Sequence, residues 1–215
     1  MLSLWLSQIR FETISALKNS EQLLVSVIFP LGVLFFGEVT GNNSLLPLAI
    51  GVTVLGSNLA GPAIGLAFDR RYGSIKGWAL TPLGVDGFLA GRFGALGLLT
   101  LIQTLVLIAA NRIFGNSLEA SISSLLALPL LMLGTIGIAI TIASTLKVEA
   151  VLATANLALV LLSATAIWLQ GLQLSFLNPL SAWLEVWNGN HLYLGVLFVY
   201  AGVFQVTARR TFKWD

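Results

Sequence analysis

Residues 68–92, FDRRYGSIKGWALTPLGVDGFLAGR, lie between two long apolar runs and hold six charged residues. Only 9% of the residues in the 215-residue chain are charged, 57% are hydrophobic and the mean hydropathy is +0.92. A soluble domain carries about 25% charged residues on average. The composition therefore predicts an integral membrane protein, in which this segment is the one sizeable cytoplasmic loop. The charged residues of the segment are Asp69, Arg70, Arg71, Lys76, Asp86 and Arg92.

Apolar runs on both sides of this loop predict an all-α membrane protein with six transmembrane helices. A helix needs about 20 residues to cross the hydrocarbon core of a bilayer, so six spans leave no room for a large soluble domain. We therefore treat residues 1–215 as a single transmembrane domain. The predicted spans are residues 21–37, 45–68, 87–110, 118–146, 148–169 and 191–207.

Two segments outside the predicted spans are too apolar for free loops. In residues 1–19, apolar side chains such as Leu2 and Trp5 share one stripe, which predicts an amphipathic helix lying in the membrane interface. The alternative is a helix that simply begins the first span early. Residues 171–190, GLQLSFLNPLSAWLEVWNGN, are interrupted by Pro179 and by polar residues and cannot span the membrane. We expect them to form a re-entrant hairpin at the outer face.

The positions of the lysines and arginines predict the orientation of the chain. With the amino terminus in the cytoplasm, ten of the eleven basic residues lie on the inner side and only Arg112 lies outside. Both termini are therefore expected in the cytoplasm. Tryptophan prefers the headgroup level. The tryptophans expected at the inner interface are Trp5, Trp78 and Trp214, and those expected at the outer interface are Trp168, Trp183 and Trp187.

Within residues 69–86, turn and capping residues predict a short helix parallel to the membrane. Gly73 can end the helix of the second span, and Ser74 can cap a new helix over residues 75–80. Thr81-Pro82 would terminate that helix, because the residue before a proline is disfavoured in the helical conformation. Such a helix, held between two spans, could transmit force from a cytoplasmic partner. The alternative is a positive-inside anchor with ordinary turn residues.

This loop resembles the segment between the second and third spans of type-2 ABC exporter permeases, in which a charged cluster, a glycine, a short helix and Thr-Pro-Leu precede the third span. The residues that carry the resemblance are Asp69, Arg70, Arg71, Gly73, Lys76, Thr81, Pro82 and Leu83. The ending RRTFKW, residues 209–214, is similar to the Arg-x-Phe-x-Trp tail of the drug-resistance, daunorubicin-exporter-like branch. One departure is Asp69, which stands where many relatives carry glutamate.

The resemblance implies a permease subunit that exports an amphipathic or hydrophobic substrate by alternating access across the cytoplasmic membrane of a bacterium. This chain would bind no cofactor, because a separate ABC ATPase, in two copies, would bind ATP and Mg²⁺. A second copy of the permease, or a sibling permease, would complete the pathway. The sequence agrees, since it has no G-x-x-x-x-G-K-[ST] loop to cradle phosphates. The residues implied in coupling to the ATPase are Asp69, Arg70, Arg71, Gly73, Lys76, Thr81 and Pro82.

Polar residues within the predicted spans are the candidates for contact with a substrate. In the family that this chain resembles, such contacts concentrate on the second and fifth spans at the dimer axis. The residues that this favours are Thr53, Asn58, Thr154 and Asn156. The alternative is hydrogen bonding between helices, worth about 0.6–2 kcal/mol per contact. Arg92, at the start of the third span, is expected to extend its charge to the inner headgroups.

The chain has no cysteine and a single histidine, His191, so it cannot hold a thiolate nucleophile or a cysteine-based zinc site. We expect neither catalytic residues nor a metal site. The net charge of +2 gives no reason to expect nucleic-acid binding, because the basic residues follow the membrane topology. Two other functions stay open: a haem-exporter-type permease of cytochrome c maturation, and a partner-free channel or secondary transporter. The scarcity of ionisable residues in the predicted spans disfavours a channel or secondary transporter.

Overall fold

The computed structural model describes residues 2–18, 23–42, 45–79, 84–116 and 122–212, and all regular elements in these ranges are helical. This confirms the predicted all-α fold for the described residues. The helices are α1 (Leu2–Lys18), α2 (Leu24–Thr40), α3 (Leu46–Arg71), α4 (Ser74–Ala79), α5 (Gly84–Ile113), α6 (Ile122–Thr145), α7 (Val148–Gly171), α8 (Pro179–Trp187) and α9 (Tyr193–Thr211). A π-helical stretch lies within α2 at Leu24–Ile28 and another within α3 at Gly56–Ala60.

Four helices in the described ranges are long and apolar enough to cross a membrane: α3, α5, α6 and α7. Their apolar parts hold 23–26 residues. At about 1.5 Å per residue these measure about 35–39 Å, whereas the hydrocarbon core of a bilayer is about 30 Å thick. The fold therefore fits an integral membrane protein.

The first and last predicted spans correspond to helices that are shorter or less apolar. α2 occupies 17 residues, or about 26 Å, which is less than the hydrocarbon thickness. α9 occupies 19 residues, but its last turn holds Arg209 and Arg210. Length and composition thus support four spans among the described residues, and helices are present where the sequence predicts the other two.

The helix of the second predicted span runs three residues past the predicted span and ends at Gly73, as predicted. Residues 69–71 form the last turn of α3, and the helix stops at Gly73, whose φ of +74° is left-handed. Glycine has no Cβ to oppose this conformation, so the chain can turn there without strain. α4 follows at once over Ser74–Ala79, close to the predicted residues 75–80. The predicted stop signal at Thr81-Pro82 lies outside the described residues.

α3 is the most deeply buried of the four spans. In its most apolar stretch of 18 residues 78% are buried, against 22% in that of α7, and every residue from 51 to 60 is buried. Helices α2, α5, α6, α7 and α8 all pack against it. The main hydrophobic core therefore forms along α3, with Leu55 and Leu59 of this helix and Leu131 of α6 fully buried.

The segment between α7 and α9 folds back against the bundle. Asn178 precedes α8, and its side-chain oxygen accepts a hydrogen bond from the backbone N–H of Leu180 at 2.8 Å, which caps the helix. Its amide nitrogen donates to the backbone oxygen of Leu162 at 2.8 Å. Leu162 lies nine residues before the end of α7, which is about 14 Å along a helix. α8 therefore lies beside α7 rather than beyond its end.

Trp183 on α8, predicted at the outer headgroup level, is buried against other helices. Its side chain is 1% exposed, and its indole N–H donates to the backbone oxygen of Ser124 at 3.4 Å. The neighbouring Trp187 is half-buried, with its ring centre 5.5 Å from that of Trp183. The indole of Trp183 thus finds its hydrogen-bond partner within the protein. α8 thus fills the end of the bundle where α3 and α6 begin.

A second hydrophobic cluster lies at the opposite end of the bundle, where α3 and α6 end. It includes Ile75 of α4, Leu66 of α3 and Phe88 of α5, together with residues near the ends of α6 and α9. α1 lies at this end as well, packed against α5 with Gln8 directly over Gly91. Successive long helices therefore alternate in direction, with α8 at one end of the bundle and α4 at the other.

Helices α6 and α9 cross closely at Gly137. A Cβ atom there would lie 2.7 Å from the backbone carbon of Phe204, whereas a Cβ at Gly134 would keep 3.6 Å from its nearest neighbour. We expect Gly137→Ala to lower the free energy of unfolding by about 1–3 kcal/mol, because the backbone of α9 has to move aside. Gly134→Ala should change it by less than about 0.5 kcal/mol. Thermal unfolding of both variants in one detergent measures the difference, and equal stabilities would contradict this packing.

Candidate functional site

Three consecutive charged residues at the end of α3 each contact a different helix. Successive side chains on an α-helix point about 100° apart, so a run of three can reach three neighbours. Asp69 accepts a hydrogen bond from Arg92 of α5 at 2.9 Å. Arg70 donates from Nη1 to the backbone oxygen of Ala143, near the end of α6. The third residue, Arg71, contacts the start of α7.

The two ion pairs in this group differ in burial. Nitrogen and oxygen are 2.8 Å apart between Arg71 and Glu149 and 2.9 Å apart between Arg92 and Asp69. The side chains of the first pair are 53% and 71% exposed, whereas Arg92 is only 14% and Asp69 37% exposed. Exposed ion pairs contribute about 0–1 kcal/mol, and burial strengthens a pair because salt and water screen it less. We call these four residues and Arg70 the charged cluster.

Arg92, which the sequence predicts to extend its charge to the inner headgroups, is bound within the protein. Its guanidinium carbon lies 5.8 Å from the centre of the Phe88 ring, one turn earlier on α5, and its Nη1 is bound to Asp69. A guanidinium at this distance from an aromatic ring gains a cation–π attraction. The side chain of Arg92 therefore joins α5 to α3. The ion pair was not predicted because its partners are 23 residues apart and their pairing depends on the fold.

The turn and the short helix after α3 expose a small surface. Tyr72 is 74% exposed, and Ser74 and Lys76 are exposed as well. Ile75 between them is buried in the second hydrophobic cluster. We call the exposed side chains of Tyr72, Ser74 and Lys76 the α4 surface. Ile75 anchors this surface in the second hydrophobic cluster. The charged cluster fixes the end of α3, which precedes it.

The predicted coupling residues therefore divide into three groups. Asp69, Arg70 and Arg71 form contacts within the chain. Gly73 turns the backbone and Lys76 is exposed. Thr81 and Pro82 lie outside the described residues.

A cavity of about 350 Å³ separates α1 from the ends of α3 and α5. Its charged lining is Glu12, Asp69 and Arg92, so two carboxylates lie near one guanidinium. The side chain of Gln8 donates to Glu12 at 3.1 Å. Burial raises the pKa of Glu12 above the usual 4.5, and the negative charge of Asp69 adds to the rise, while Arg92 and the Gln8 hydrogen bond oppose it. The cavity between α1 and the bundle therefore holds a carboxyl with a raised pKa.

Buried polar side chains join α2, α3 and α5 inside the bundle. Ser57 of α3 donates to the amide oxygen of Gln103 on α5 at 2.5 Å. The amide nitrogen of Gln103 donates to Ser26 on α2 at 2.9 Å. Asn58 donates to Thr100 on α5 at 2.9 Å. Because such groups have no water as a partner within a bilayer, these bonds hold the three helices in register.

Both π-helical stretches lie at this polar network. Ser26 belongs to the stretch within α2, and Ser57 and Asn58 belong to the stretch within α3. Single π-helical turns inside α-helices occur frequently at functional sites. The side-chain oxygens of Asn58 and Thr53 are buried without a hydrogen-bond partner among the described residues. The network therefore combines irregular backbone with buried polar groups, and the sequence pattern alone did not indicate the π-helical turns.

The predicted substrate-pathway residues lie in two different places. Thr53 and Asn58 are fully buried inside the bundle. On α7, Asn156 is exposed and Thr154 is half-buried. Asn58 forms its side-chain hydrogen bonds within α3 and to α5, so none joins it to α7 in the described part of the chain. The structure keeps the first two residues in the interior and Asn156 on the surface.

Neither a protein-family model nor a curated protein matches this sequence. Among the described residues, no three histidine, aspartate or glutamate side chains are grouped so that they could hold a metal ion. The candidate functional surface is therefore the α4 surface with the charged cluster beneath it. Its chemistry is that of a contact surface, because its exposed groups are an aromatic ring, a hydroxyl and an ammonium group.

Asp69→Asn removes the carboxylate that pairs with the mostly buried Arg92. We expect this change to lower the free energy of unfolding by about 1–3 kcal/mol, because a charged group loses its ionised partner. Glu149→Gln breaks the exposed pair with Arg71 and should cost less than about 1 kcal/mol. Thermal unfolding at neutral pH compares the two variants. A larger loss for Glu149→Gln would be inconsistent with the burial of the first pair.

The raised pKa of Glu12 predicts a pH dependence of stability. The folded chain binds the proton of this carboxyl more tightly than the unfolded chain. Its contribution to stability is therefore fully present below pH 4.5 and is lost as the pH rises through the raised pKa. Glu12→Gln keeps an oxygen acceptor for Gln8 but cannot ionise. We expect it to be more stable than the parent at neutral pH, with the difference shrinking toward pH 4.5.

Melting temperatures of the parent and of Glu12→Gln, measured from below pH 4.5 to neutral pH, test this expectation. Ser15→Ala is the control, because Ser15 lines the same cavity and does not titrate. It should follow the pH profile of the parent. If Glu12→Gln also follows that profile, the carboxyl is not the source of the pH dependence.

Proposed function

We propose that this chain is the permease subunit of an ATP-driven exporter of the type-2 ABC class, with six spans formed by α2, α3, α5, α6, α7 and α9. The observation that carries the proposal is the α4 surface, which belongs to a short helix between two spans. This helix is exposed on one side and buried against the bundle on the other. In this function α4 receives force from a separate ABC ATPase and passes it to the spans.

The contacts beneath α4 support such a transfer of force. Ile75 is 1% exposed, in a cluster that also holds residues of α3, α5, α6 and α9. The turn before α4 follows Arg70, which is bonded to the end of α6, and Arg71, which is paired at the start of α7. A displacement of α4 would therefore move the ends of several spans together. Alternating access requires a concerted motion of this kind.

The distribution of basic residues supports a cytoplasmic position for α4. Arg112 lies at the opposite end of the bundle, in the last turn of α5. The basic residues of the described spans and of α4 that lie at the α4 end are Arg70, Arg71, Lys76, Arg92, Lys147, Arg209 and Arg210. By the positive-inside rule this end faces the cytoplasm. α8 would then form the re-entrant segment of the outer face.

The same orientation gives α1 a position in the inner interface. Its side chains Leu6, Phe11 and Ile14 are 59%, 56% and 42% exposed, respectively. Large apolar side chains exposed along a helix beside a membrane are suited to the boundary between headgroups and acyl chains. Both termini of the chain would lie on the cytoplasmic side of a bacterial cytoplasmic membrane.

The exposed face of α7 supports a second permease copy or a sibling permease. Only 22% of the residues in the most apolar 18-residue stretch of α7 are buried, and the exposed residues of this helix include the polar Asn156 beside Leu157 and Val160. A polar side chain in the bilayer faces protein or a water-filled cavity, because contact with lipid is costly. Pairing along α7 would shield Asn156 from lipid. Thr154 and Asn156 would then line a pathway between the two permeases.

In this assembly, ATP and Mg²⁺ bind to the two ATPase subunits, and the substrate is an amphipathic or hydrophobic compound. Both Thr53 and Asn58 are buried within one chain, and Asn58 then holds α3 to α5 instead of contacting the substrate. Thr154 and Asn156 remain as the proposed contacts.

Co-purification tests the proposal. A P-loop ATPase should co-purify in near-stoichiometric amount with the tagged chain from the cells that naturally make it. Tyr72→Ser combined with Lys76→Glu changes only exposed side chains, so the fold should survive. We expect the double variant to retain about tenfold less ATPase, because an aromatic contact is lost and a charge is reversed. Arg112→Gln, an exposed change at the other end of the bundle, is the matched control and should retain the ATPase.

Two results would overturn the exporter proposal. One is a well-folded parent chain that retains no P-loop ATPase. The other is a double variant that retains as much ATPase as the parent and the Arg112→Gln control.

A further inference from the structure

The cavity between α1 and the ends of α3 and α5 opens to the surface of the protein. Its volume is about 350 Å³. Phe11 and Ser15 of α1 and Ser74 of α4 belong to its lining and are exposed, so they form an open rim. Ala95 and Leu96 of α5 are buried and give its interior an apolar wall. We call this space the α1 cavity.

Two carboxylates in the lining of the α1 cavity each keep one oxygen without a hydrogen bond. Glu12 accepts from Gln8 through Oε1 at 3.1 Å. Asp69 accepts from Arg92 through Oδ2 at 2.9 Å. No group of the described residues donates to Glu12 Oε2 or to Asp69 Oδ1, and neither oxygen is enclosed by the protein. A ligand in the α1 cavity can therefore reach both oxygens.

The charges in this lining are not balanced. Among the described residues, Arg92 is the one cation that lines the α1 cavity, against the carboxylates of Glu12 and Asp69. Burial raises the pKa of Glu12, and the negative charge of Asp69 adds to the rise. The ionised form of Glu12 therefore lacks a sufficient positive partner. A cation bound between the two carboxylates would supply one.

The lining favours an organic cation over a metal ion. Ca²⁺ takes about six to eight oxygen ligands, whereas no three acidic or histidine side chains of the described residues are grouped for a metal. Arg92 would also repel a divalent ion. An ammonium group donates hydrogen bonds in several directions. The free oxygens of the two carboxylates can accept them, together with a hydroxyl of the rim.

We propose that the α1 cavity binds an ammonium group, supplied by the headgroup of phosphatidylethanolamine. The ammonium group donates to the free oxygens of Glu12 and Asp69 in charge-assisted hydrogen bonds. The phosphate of the same headgroup is negatively charged, and the guanidinium of Arg92 lies beside Asp69 to bind it. A zwitterionic headgroup thus matches a lining that carries both signs of charge.

The position of the α1 cavity suits a lipid. Phe11, at its rim, is 56% exposed, and an apolar side chain on an interfacial helix lies where headgroups meet acyl chains. A free amine is the other source of the same chemistry. The inference does not depend on the exporter function, because it uses only this chain.

Lipid titration of the purified chain tests the proposal. The chain is stripped of lipid in a neutral detergent at mildly alkaline pH, which favours the ionised form of Glu12. It is titrated with phosphatidylethanolamine, with phosphatidylcholine of the same acyl chains, or with free ethanolamine. Native mass spectrometry measures bound lipid, and the melting temperature reports the binding of any of the three probes. We expect phosphatidylethanolamine to bind more tightly, because the headgroup of phosphatidylcholine has no N–H group to donate.

Glu12→Gln should weaken the binding of phosphatidylethanolamine about tenfold, because one acceptor of the ammonium group loses its charge. The variant is expected to be at least as stable as the parent at this pH, so weaker binding would not reflect unfolding. Glu149→Gln is the matched control, because Glu149 is a 71% exposed carboxylate at the same end of the bundle that does not line the α1 cavity. It should bind phosphatidylethanolamine as the parent does.

The outcomes separate the two sources of the ammonium group. Preference for phosphatidylethanolamine that Glu12→Gln weakens identifies a lipid headgroup. Ethanolamine that raises the melting temperature of the parent but not of Glu12→Gln, without a preference between the lipids, identifies a free amine in the same site. The proposal is wrong if the parent shows neither the lipid preference nor the response to ethanolamine, or if Glu12→Gln and Glu149→Gln bind the probes equally well.

Discussion

A charged residue at the end of a membrane-spanning helix has to be paired within the protein or reach water. At the end of α3, Asp69 and Arg70 are held within the protein by α5 and α6, and Arg71 is paired with α7 at the surface. The helix that is most buried therefore also fixes the ends of its neighbours. α4 follows directly after these three residues. Its position thus depends on the charged cluster.

α3 is held at two further levels. Near the other end of the bundle, α8 packs against it and Trp183 reaches α6. Between the two ends, Ser57 and Asn58 bond to α5. Hydrogen bonds contribute at both places. Trp183 bonds to a backbone oxygen, and Ser57 and Asn58 bond to side chains. By contrast, α7 keeps most of its surface exposed, and that surface is available to another subunit or to lipid.

The helical class and the approximate position of each helix could be predicted, because crossing a bilayer requires about 20 consecutive apolar residues. The end of α3 at Gly73 was predicted, because glycine can take the left-handed conformation that ends a helix, whereas the pairing of Arg71 with Glu149 was not. The burial of Trp183 was missed because packing and the headgroup level both suit an indole ring. Pairing of Asp69 with Arg92 depends on how helices are arranged, which periodicity does not encode. The proposed roles of Thr81 and Pro82 stay predictions.

Because the chain has no cysteine, single introduced cysteines can report which side of the membrane each end of the bundle faces. Lys76→Cys marks the α4 surface and Asn188→Cys marks the end near α8, and both positions are exposed. A membrane-impermeant maleimide applied to intact cells should label Asn188→Cys, and should label Lys76→Cys only after the cells are permeabilised. Labelling of Lys76→Cys in intact cells would put α4 on the outer side, beyond the reach of any ATPase, and would contradict the account.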